Sequence, residues 1–109
     1  MKTARLRAQA KRDLSDTAVC YTEQGGTKLG RAFVAAATAA LEPLSRMPGL
    51  GSPRAAEFCG VPELRVLSVS GWPVQWFYFE RDDILDVVRL LGERQDIATI
   101  LTTEPPAAS

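Results

Sequence analysis

Histidine is absent from this chain of 109 residues, and cysteine occurs only twice, at Cys20 and Cys59. Without histidine, neither the usual zinc-ligand spacings nor a Cys–His nucleophile pair can be assembled. The sequence therefore predicts no metal site and no cofactor. We interpret the cysteines as free thiols, buried or half-buried, because nothing suggests secretion; a disulfide between them is the alternative.

Long hydrophobic runs are also missing. The longest apolar run, residues 33–41, is mostly alanine and is far shorter than the roughly 20 residues that span a bilayer. The basic N-terminus continues into Arg12 and Asp13, where a signal peptide needs an apolar core. The expectation is a cytoplasmic protein with no membrane segment.

Neither sign of charge dominates, because 13 lysines and arginines balance 13 acidic residues. Bulk charge therefore gives no reason to expect non-specific binding to nucleic acid. The length allows one compact core but not two ordinary domains. We predict a single domain over residues 1–101 and a flexible tail over residues 102–109, which contains Pro105 and Pro106.

The first third of the chain predicts a strand and two helices. Residues 3–7 alternate small or apolar with basic side chains, as in a short edge strand. A helix is predicted from Gln9 to about Glu23, ending at Gly25 and Gly26. Its apolar face has helical spacing and comprises Ala10, Leu14, Thr17 and Tyr21.

Thr27 is the predicted N-cap of the second helix. Its apolar stripe comprises Leu29, Phe33, Ala36, Ala37, Ala40, Leu41 and Leu44. Pro43 indicates an early stop or a kink, and the helix is expected to be over by Met47. The two helices should form an antiparallel αα-hairpin on one face of a sheet.

Three strands are predicted after a turn-rich loop that covers residues 47–62. They run over Leu64 to Ser70, Val74 to Phe79 and Ile84 to Leu91. The second of these is apolar on both faces and should be central in the sheet. The fold class is therefore α+β, with an N-terminal strand and an αα-hairpin packed on a small antiparallel sheet.

The aromatic run Trp76 to Phe79 could stack unpaired bases, but a core of this size needs bulky strand residues. We assign the run to core packing. Trp72, between a glycine and a proline, is expected to be partly exposed and available to a partner.

Arginines on the strands could converge on an anion. Arg65 and Arg81 are possible phosphate contacts, whereas ordinary pairing with neighbouring acids is the competing interpretation and is favoured for Arg81. Arg89 lies between Val88 and Leu90, so its charge is costly unless it has a dedicated partner.

Glu93, Arg94 and Asp96 follow the last strand and resemble an acid/base set. Nothing in the sequence raises a carboxylate pKa there, and no histidine is present to act as a proton shuttle near neutral pH. The sequence thus favours a binding protein over an enzyme and predicts no catalytic residue.

The order of these elements over residues 3–100 resembles the RelE/ParE superfamily of bacterial type II toxins. The stretches that carry the resemblance are residues 10–14 with Tyr21, residues 47–51 with Arg54, residues 64–66, the aromatic strand, and residues 88–97. The chain looks more like the ParE branch. Many relatives carry a histidine just after the last strand, where Gly92 stands here.

The resemblance implies a toxin that inhibits DNA gyrase by binding and forms a hetero-oligomer with a ParD-like antitoxin. It implies target contacts at Trp72, Arg89, Glu93, Arg94, Gln95 and Asp96. It implies antitoxin contacts at Leu14, Tyr21 and Phe33. Two alternatives stay open, namely a RelE-like mRNA endonuclease that acts on the ribosome and an inactive scaffold that still binds an antitoxin.

Overall fold

The computed structural model describes residues 2–93 and 95–102. The sheet has four strands, namely β1 (Thr3–Leu6), β2 (Arg65–Ser68), β3 (Val74–Glu80) and β4 (Ile84–Gly92). Their order in the sheet is β1-β4-β3-β2. The predicted edge position of β1 and the predicted central position of β3 are both confirmed.

The sheet is mixed, because β1 pairs with β4 in parallel while β2–β3 and β3–β4 are antiparallel. The wholly antiparallel sheet expected from the sequence therefore needs correction at β1. The physical reason is the long connection between β1 and β4, which lets the chain return in the same direction. The α+β class is as predicted, and so is the order of the four strands and the two long helices.

Two long helices form the predicted hairpin, α1 (Ala8–Gly25) and α2 (Thr27–Leu41). Thr27 is not the N-cap. That position belongs to Gly26, whose φ of 92° suits glycine, and no side chain among the described residues caps the helix. Pro43 acts as predicted, because α2 ends at Leu41 and a 3-10 turn follows over Glu42–Ser45.

The segment predicted as a continuous loop contains regular structure. A 3-10 turn covers Pro48–Leu50, and a short helix, α3, covers Arg54–Cys59. A further helix, α4 (Ile97–Thr102), follows the last strand, where only a polar tail was expected. Both helices are short, so each contains too few apolar residues to show a clear helical periodicity in the sequence.

Apolar side chains fill both faces of the sheet. On one face Trp76 and Tyr78 pack with α1 and α2, and on the other Phe77 and Phe79 pack with α3 and α4. This arrangement confirms the assignment of the aromatic run to core packing. Two thin cores on opposite sides of β3 and β4 explain why these strands are apolar on both faces.

No helix in residues 2–93 and 95–102 is long and apolar enough to cross a membrane. Within the same residues, no cluster of three or more cysteines and acids could hold a metal ion. Cys59 is buried in α3, but Cys20 is exposed on α1, so the prediction of a buried or half-buried thiol is wrong for Cys20. The predicted tail falls almost entirely on residues 103–109, which lie outside the described residues.

Candidate functional site

Arg89 has the dedicated partner that its position requires. Its Nε and Nη2 donate to the two carboxylate oxygens of Asp13 on α1, at 2.7 and 2.9 Å. The backbone N–H of Leu90 donates to the same carboxylate at 3.0 Å. Asp13 is 8% exposed, so this is a buried, multiply hydrogen-bonded ion pair. It joins the first helix to the last strand, next to a β-bulge in the β3–β4 ladder.

A second buried carboxylate, three residues before Arg89 on the same strand, repeats this pattern. Asp86 is 1% exposed, and Arg7 donates to its two oxygens at 3.0 and 2.9 Å. The pair ties the β1–α1 junction to β4. Both acids are thus held by arginines inside the fold, and the two pairs fasten β4 to the N-terminal part of the chain.

Arg65 holds a loop. Its Nη1 donates to the carbonyl oxygens of Gly49 and Gly51, at 3.3 and 2.8 Å. Arg81 instead approaches Glu63 at 3.7 Å and stacks on the Phe79 ring at 4.5 Å. The pairing favoured for Arg81 is confirmed. Arg65, Arg81 and Arg89 thus contact three different parts of the molecule.

Trp72 is half-buried on an aromatic cluster with Tyr21 and Phe33. Its ring centroid lies 4.8 Å from that of Tyr21 and 5.3 Å from that of Phe33, both edge to face. Such pairs add about 0.5–1.5 kcal/mol beyond the area that they bury. The expected partial exposure is confirmed, and the cluster fixes the ring between the helical hairpin and the β2–β3 turn.

The turn after β4 lies beside the turn that carries Trp72. Val74 pairs with Gly92, and the N–H of Glu93 donates to the carbonyl of Pro73 at 3.2 Å. We call these two turns, residues 70–73 together with residues 92, 93, 95 and 96, the Trp72 end. Sequence separates them by about twenty residues, and the sheet register makes them one surface.

The other predicted target residues differ in whether their side chains already make hydrogen bonds within the fold. Glu93 is exposed. The Oε1 atom of Gln95 accepts from the N–H of Gly92 at 2.7 Å, and Asp96 accepts from the Thr99 hydroxyl at 2.8 Å. These two side chains therefore also shape the turn and the start of α4. Arg94, the remaining target residue, lies outside the described residues.

The predicted antitoxin contacts are unequally accessible. Leu14 and Tyr21 are half-buried and pack against the first core, whereas Phe33 is 0% exposed. Phe33 lies under Tyr21 at a centroid distance of 5.0 Å. A partner that docks on this face would meet Tyr21 and be supported from beneath by Phe33.

One apolar surface escaped the sequence reasoning. Phe58 on α3 is 75% exposed at the rim of an open groove between α3, β2 and β3. The floor of the groove includes Val66 and Phe77. A signal was present, because Ala55 and Cys59 have the i, i+4 spacing of a buried helix face. Because residues 47–62 were predicted to be a loop, the helix α3 and its exposed Phe58 were not expected.

Tyr78 anchors the loop that Arg65 also holds. Its hydroxyl accepts from the Gly51 N–H at 2.9 Å and donates to the Pro48 carbonyl at 2.8 Å. Burial raises the pKa of Tyr78, because a phenolate loses hydration in the core. The loop thereby holds Met47 and Leu50, both about half exposed, on a fixed backbone.

Replacing Tyr78 by phenylalanine is expected to lower the free energy of unfolding by about 1–3 kcal/mol, because two backbone groups lose their partner. Because the pKa of Tyr78 is raised in the fold, the free energy of unfolding also depends on pH. The phenol contributes its full stability below the unfolded pKa of about 10, and that contribution is lost as the pH rises above it. Urea denaturation between pH 7 and 11 should show a smaller alkaline loss for Tyr78→Phe than for the parent.

Tyr21→Phe is the matched control for this series, because the Tyr21 hydroxyl makes no hydrogen bond with the described residues. Tyr21→Phe should leave the midpoint of urea denaturation nearly unchanged at pH 7. Equal losses for the two variants would show that the Tyr78 hydroxyl does not hold the loop.

Comparisons with known proteins agree with this architecture. The family model described as the ParE toxin of the type II toxin–antitoxin system parDE matches residues 4–97. A solved structure titled as the chromosomal ParDE TA system from P. aeruginosa superposes with a TM-score of 0.74 at 21% identity, covering 84% of this chain and 96% of the other. No curated protein matches the chain. At this identity the structural likeness speaks for the fold alone.

Proposed function

This chain belongs to the ParE toxin family of type II toxin–antitoxin systems, and we propose that it inhibits DNA gyrase by binding to it in the cytoplasm. The family match over residues 4–97 is the observation that carries the proposal. A cognate ParD-like antitoxin would neutralise the toxin in a hetero-oligomer.

The geometry supports binding rather than RNA cleavage. A ribonuclease needs positive charge that converges on the phosphate, with a base and an acid at hydrogen-bonding distance. Here Arg65, Arg81 and Arg89 each engage a different partner within the fold. Fold alone does not decide between a gyrase inhibitor and a nuclease, so the assays of supercoiling and of macromolecular synthesis separate them.

The Trp72 end supplies the target surface in this proposal. It combines a half-buried tryptophan with exposed polar groups on two adjoining turns. Tryptophan is enriched in the energetic centres of protein interfaces, where one edge stays packed and the other meets the partner. The aromatic cluster beneath Trp72 would keep that ring in place during binding.

A charge reversal at Glu93 tests this surface without touching the core. Glu93→Arg is expected to raise the concentration for half-inhibition of supercoiling by purified gyrase about tenfold, which corresponds to about 1.4 kcal/mol. Asp82→Arg is the matched control, because Asp82 is also exposed but lies at the opposite end of the β3–β4 hairpin.

Equal inhibition by both variants and the parent would place the target surface elsewhere. If the parent neither inhibits supercoiling nor stabilises cleaved DNA, gyrase is not the target. Pulse labelling after expression then separates the alternatives. An early fall in protein synthesis with cuts inside codons would identify a nuclease, and harmless expression of folded protein would identify a scaffold.

A further inference from the structure

We propose that the groove beside Phe58 receives helix α3 of a second copy of this chain, so that the free protein forms a weak two-fold dimer. The groove lies between α3, β2 and β3, and Phe58 stands at its rim. A single open groove and one short helix make a small interface. The dimer is therefore expected to be transient, with a Kd of about 10–100 µM.

The groove has room for an aromatic side chain. Its volume is about 650 Å³, within the range of sites that bury small apolar groups. Its apolar lining comprises Ala55, Val66, Phe77 and Ile97. Among the described residues, Phe58 is the most exposed large apolar side chain, at 75%. Each copy thus offers a projecting ring and an apolar recess, the two parts of a self-complementary interface.

Charges on α3 identify a second copy as the occupant. Arg54, Glu57 and Phe58 are exposed on one face of the helix, at positions i, i+3 and i+4. Neither Arg54 nor Glu57 forms an ion pair with a described residue. In a two-fold antiparallel pair of α3 helices, Arg54 can lie opposite the partner's Glu57, and the symmetry then forms this ion pair twice. This face of α3 is therefore complementary to itself.

The same register carries the ring into the recess. When Arg54 lies opposite the partner's Glu57, Phe58 lies opposite the partner's Pro53, next to the partner's Ser52. Ser52 lines the groove and bridges Val66 at the edge of β2. One two-fold arrangement therefore pairs the charges and buries both rings, and a buried aromatic anchor is what concentrates affinity in a small interface.

The backbone of the groove favours side-chain contacts over an added strand. The Ser52 N–H donates to the Val66 carbonyl at 2.8 Å, and the Val66 N–H donates to the Ser52 carbonyl at 3.0 Å. An extended peptide therefore finds the middle of β2 already paired. Residues 103–109 contain one acid and no aromatic residue, so they match the groove less well than Phe58. A net charge of zero also leaves no overall repulsion between two copies.

Self-association through this groove leaves the Trp72 end free. Trp72 packs against the first core, on the side of the sheet that carries the helical hairpin. The groove lies on the other side, beside the second core that contains Phe77. The dimer would therefore present two Trp72 ends at once, and each could still meet a target.

Sedimentation equilibrium of the purified full chain, without an antitoxin, tests the dimer. Between about 5 and 500 µM, the weight-average mass should rise from that of the monomer toward twice that value. Phe58→Ala should raise the dimer Kd about tenfold or more. Val19→Ala is the matched control and should leave the Kd within about twofold, because Val19 is also exposed but lies on α1 across the sheet.

Charge exchange on α3 tests the register. Arg54→Glu and Glu57→Arg should each raise the dimer Kd about tenfold, because each sets like charges opposite each other. The double variant Arg54→Glu/Glu57→Arg should return the Kd to within about threefold of the parent, since both pairs form again with their signs exchanged. Circular dichroism verifies the fold of each variant. A folded double variant that recovers nothing would overturn the proposed pairing.

Other outcomes would overturn the dimer itself. They are a parent chain that stays monomeric up to about 500 µM and a dimer that Phe58→Ala leaves unchanged. Dimers that form only after removal of residues 103–109 would assign the groove to that segment instead. A monomeric parent whose Phe58→Ala variant loses affinity for the antitoxin would assign the groove to the antitoxin. Gyrase inhibition is tested at Glu93, so these results leave that proposal unchanged.

Discussion

Replacing Arg89 by methionine is expected to lower the free energy of unfolding by about 3–5 kcal/mol. The substitution keeps the apolar stem but leaves the Asp13 carboxylate, 8% exposed, without its charged partner. Small domains are stable by only about 5–15 kcal/mol, so the loss would be a large fraction of the total. Urea denaturation followed by circular dichroism measures it.

Two further variants test the cause of this loss. Arg12→Met removes an exposed arginine from the same helix as Asp13 and should change stability by less than about 0.5 kcal/mol. The double variant Asp13→Leu/Arg89→Met removes both charges and should recover a large part of the loss, because apolar replacement of a whole buried pair is often neutral. A double variant no more stable than Arg89→Met would contradict the assigned cause.

The pair also bears on the prediction of Arg89 as a target contact. Its side chain is 14% exposed and already holds Asp13. Loss of gyrase inhibition in an Arg89 variant would therefore need a stability measurement before it could be assigned to the interface. Variants at Glu93 avoid this ambiguity, because that side chain is exposed.

Replacing Trp76 by alanine is expected to lower the free energy of unfolding by about 3–5 kcal/mol. Trp76 is 0% exposed in the middle of β3, and its Nε1–H donates to the Ala37 carbonyl of α2 at 2.9 Å. Alanine would leave a large cavity between the sheet and the helical hairpin. Thermal unfolding and urea denaturation should both report the loss.

Trp76→Phe is the matched control, because it keeps an aromatic ring in the same place and gives up only part of the volume and one hydrogen bond. Its loss should stay below about 2 kcal/mol, the sum of a modest volume change and one neutral hydrogen bond. Similar losses for the two variants would mean that the hydrogen bond to Ala37, rather than packing volume, fastens the sheet to α2.

Much of the fold could be predicted because it follows from local patterns. The double glycine at Gly25 and Gly26 and the proline at Pro43 delimit the two long helices. Period-two apolar residues on both faces place β3 in the centre of the sheet. The short helices α3 and α4 were missed, since a helix of six residues contains fewer than two turns of periodicity.

The candidate site was less predictable. Trp72, Glu93, Gln95 and Asp96 were named from the sequence, but their adjacency follows from the register of Val74 with Gly92. The roles of Arg65 and Tyr78 were not foreseen, because each holds backbone groups of a loop rather than another side chain. Such contacts leave no pattern in the sequence.

The sequence by itself determined the class of this protein. The order of strand, helical hairpin and hairpin-forming strands follows from local periodicity, and its resemblance to the toxin superfamily suggested the family that the match over residues 4–97 shows. The tertiary structure alone decided which acids the arginines meet. Asp13 and Arg89 lie 76 positions apart, and Arg7 and Asp86 lie 79 apart. Residues so far apart in the sequence meet only because α1 and the residue before it pack against β4, and this packing exists only in the folded chain.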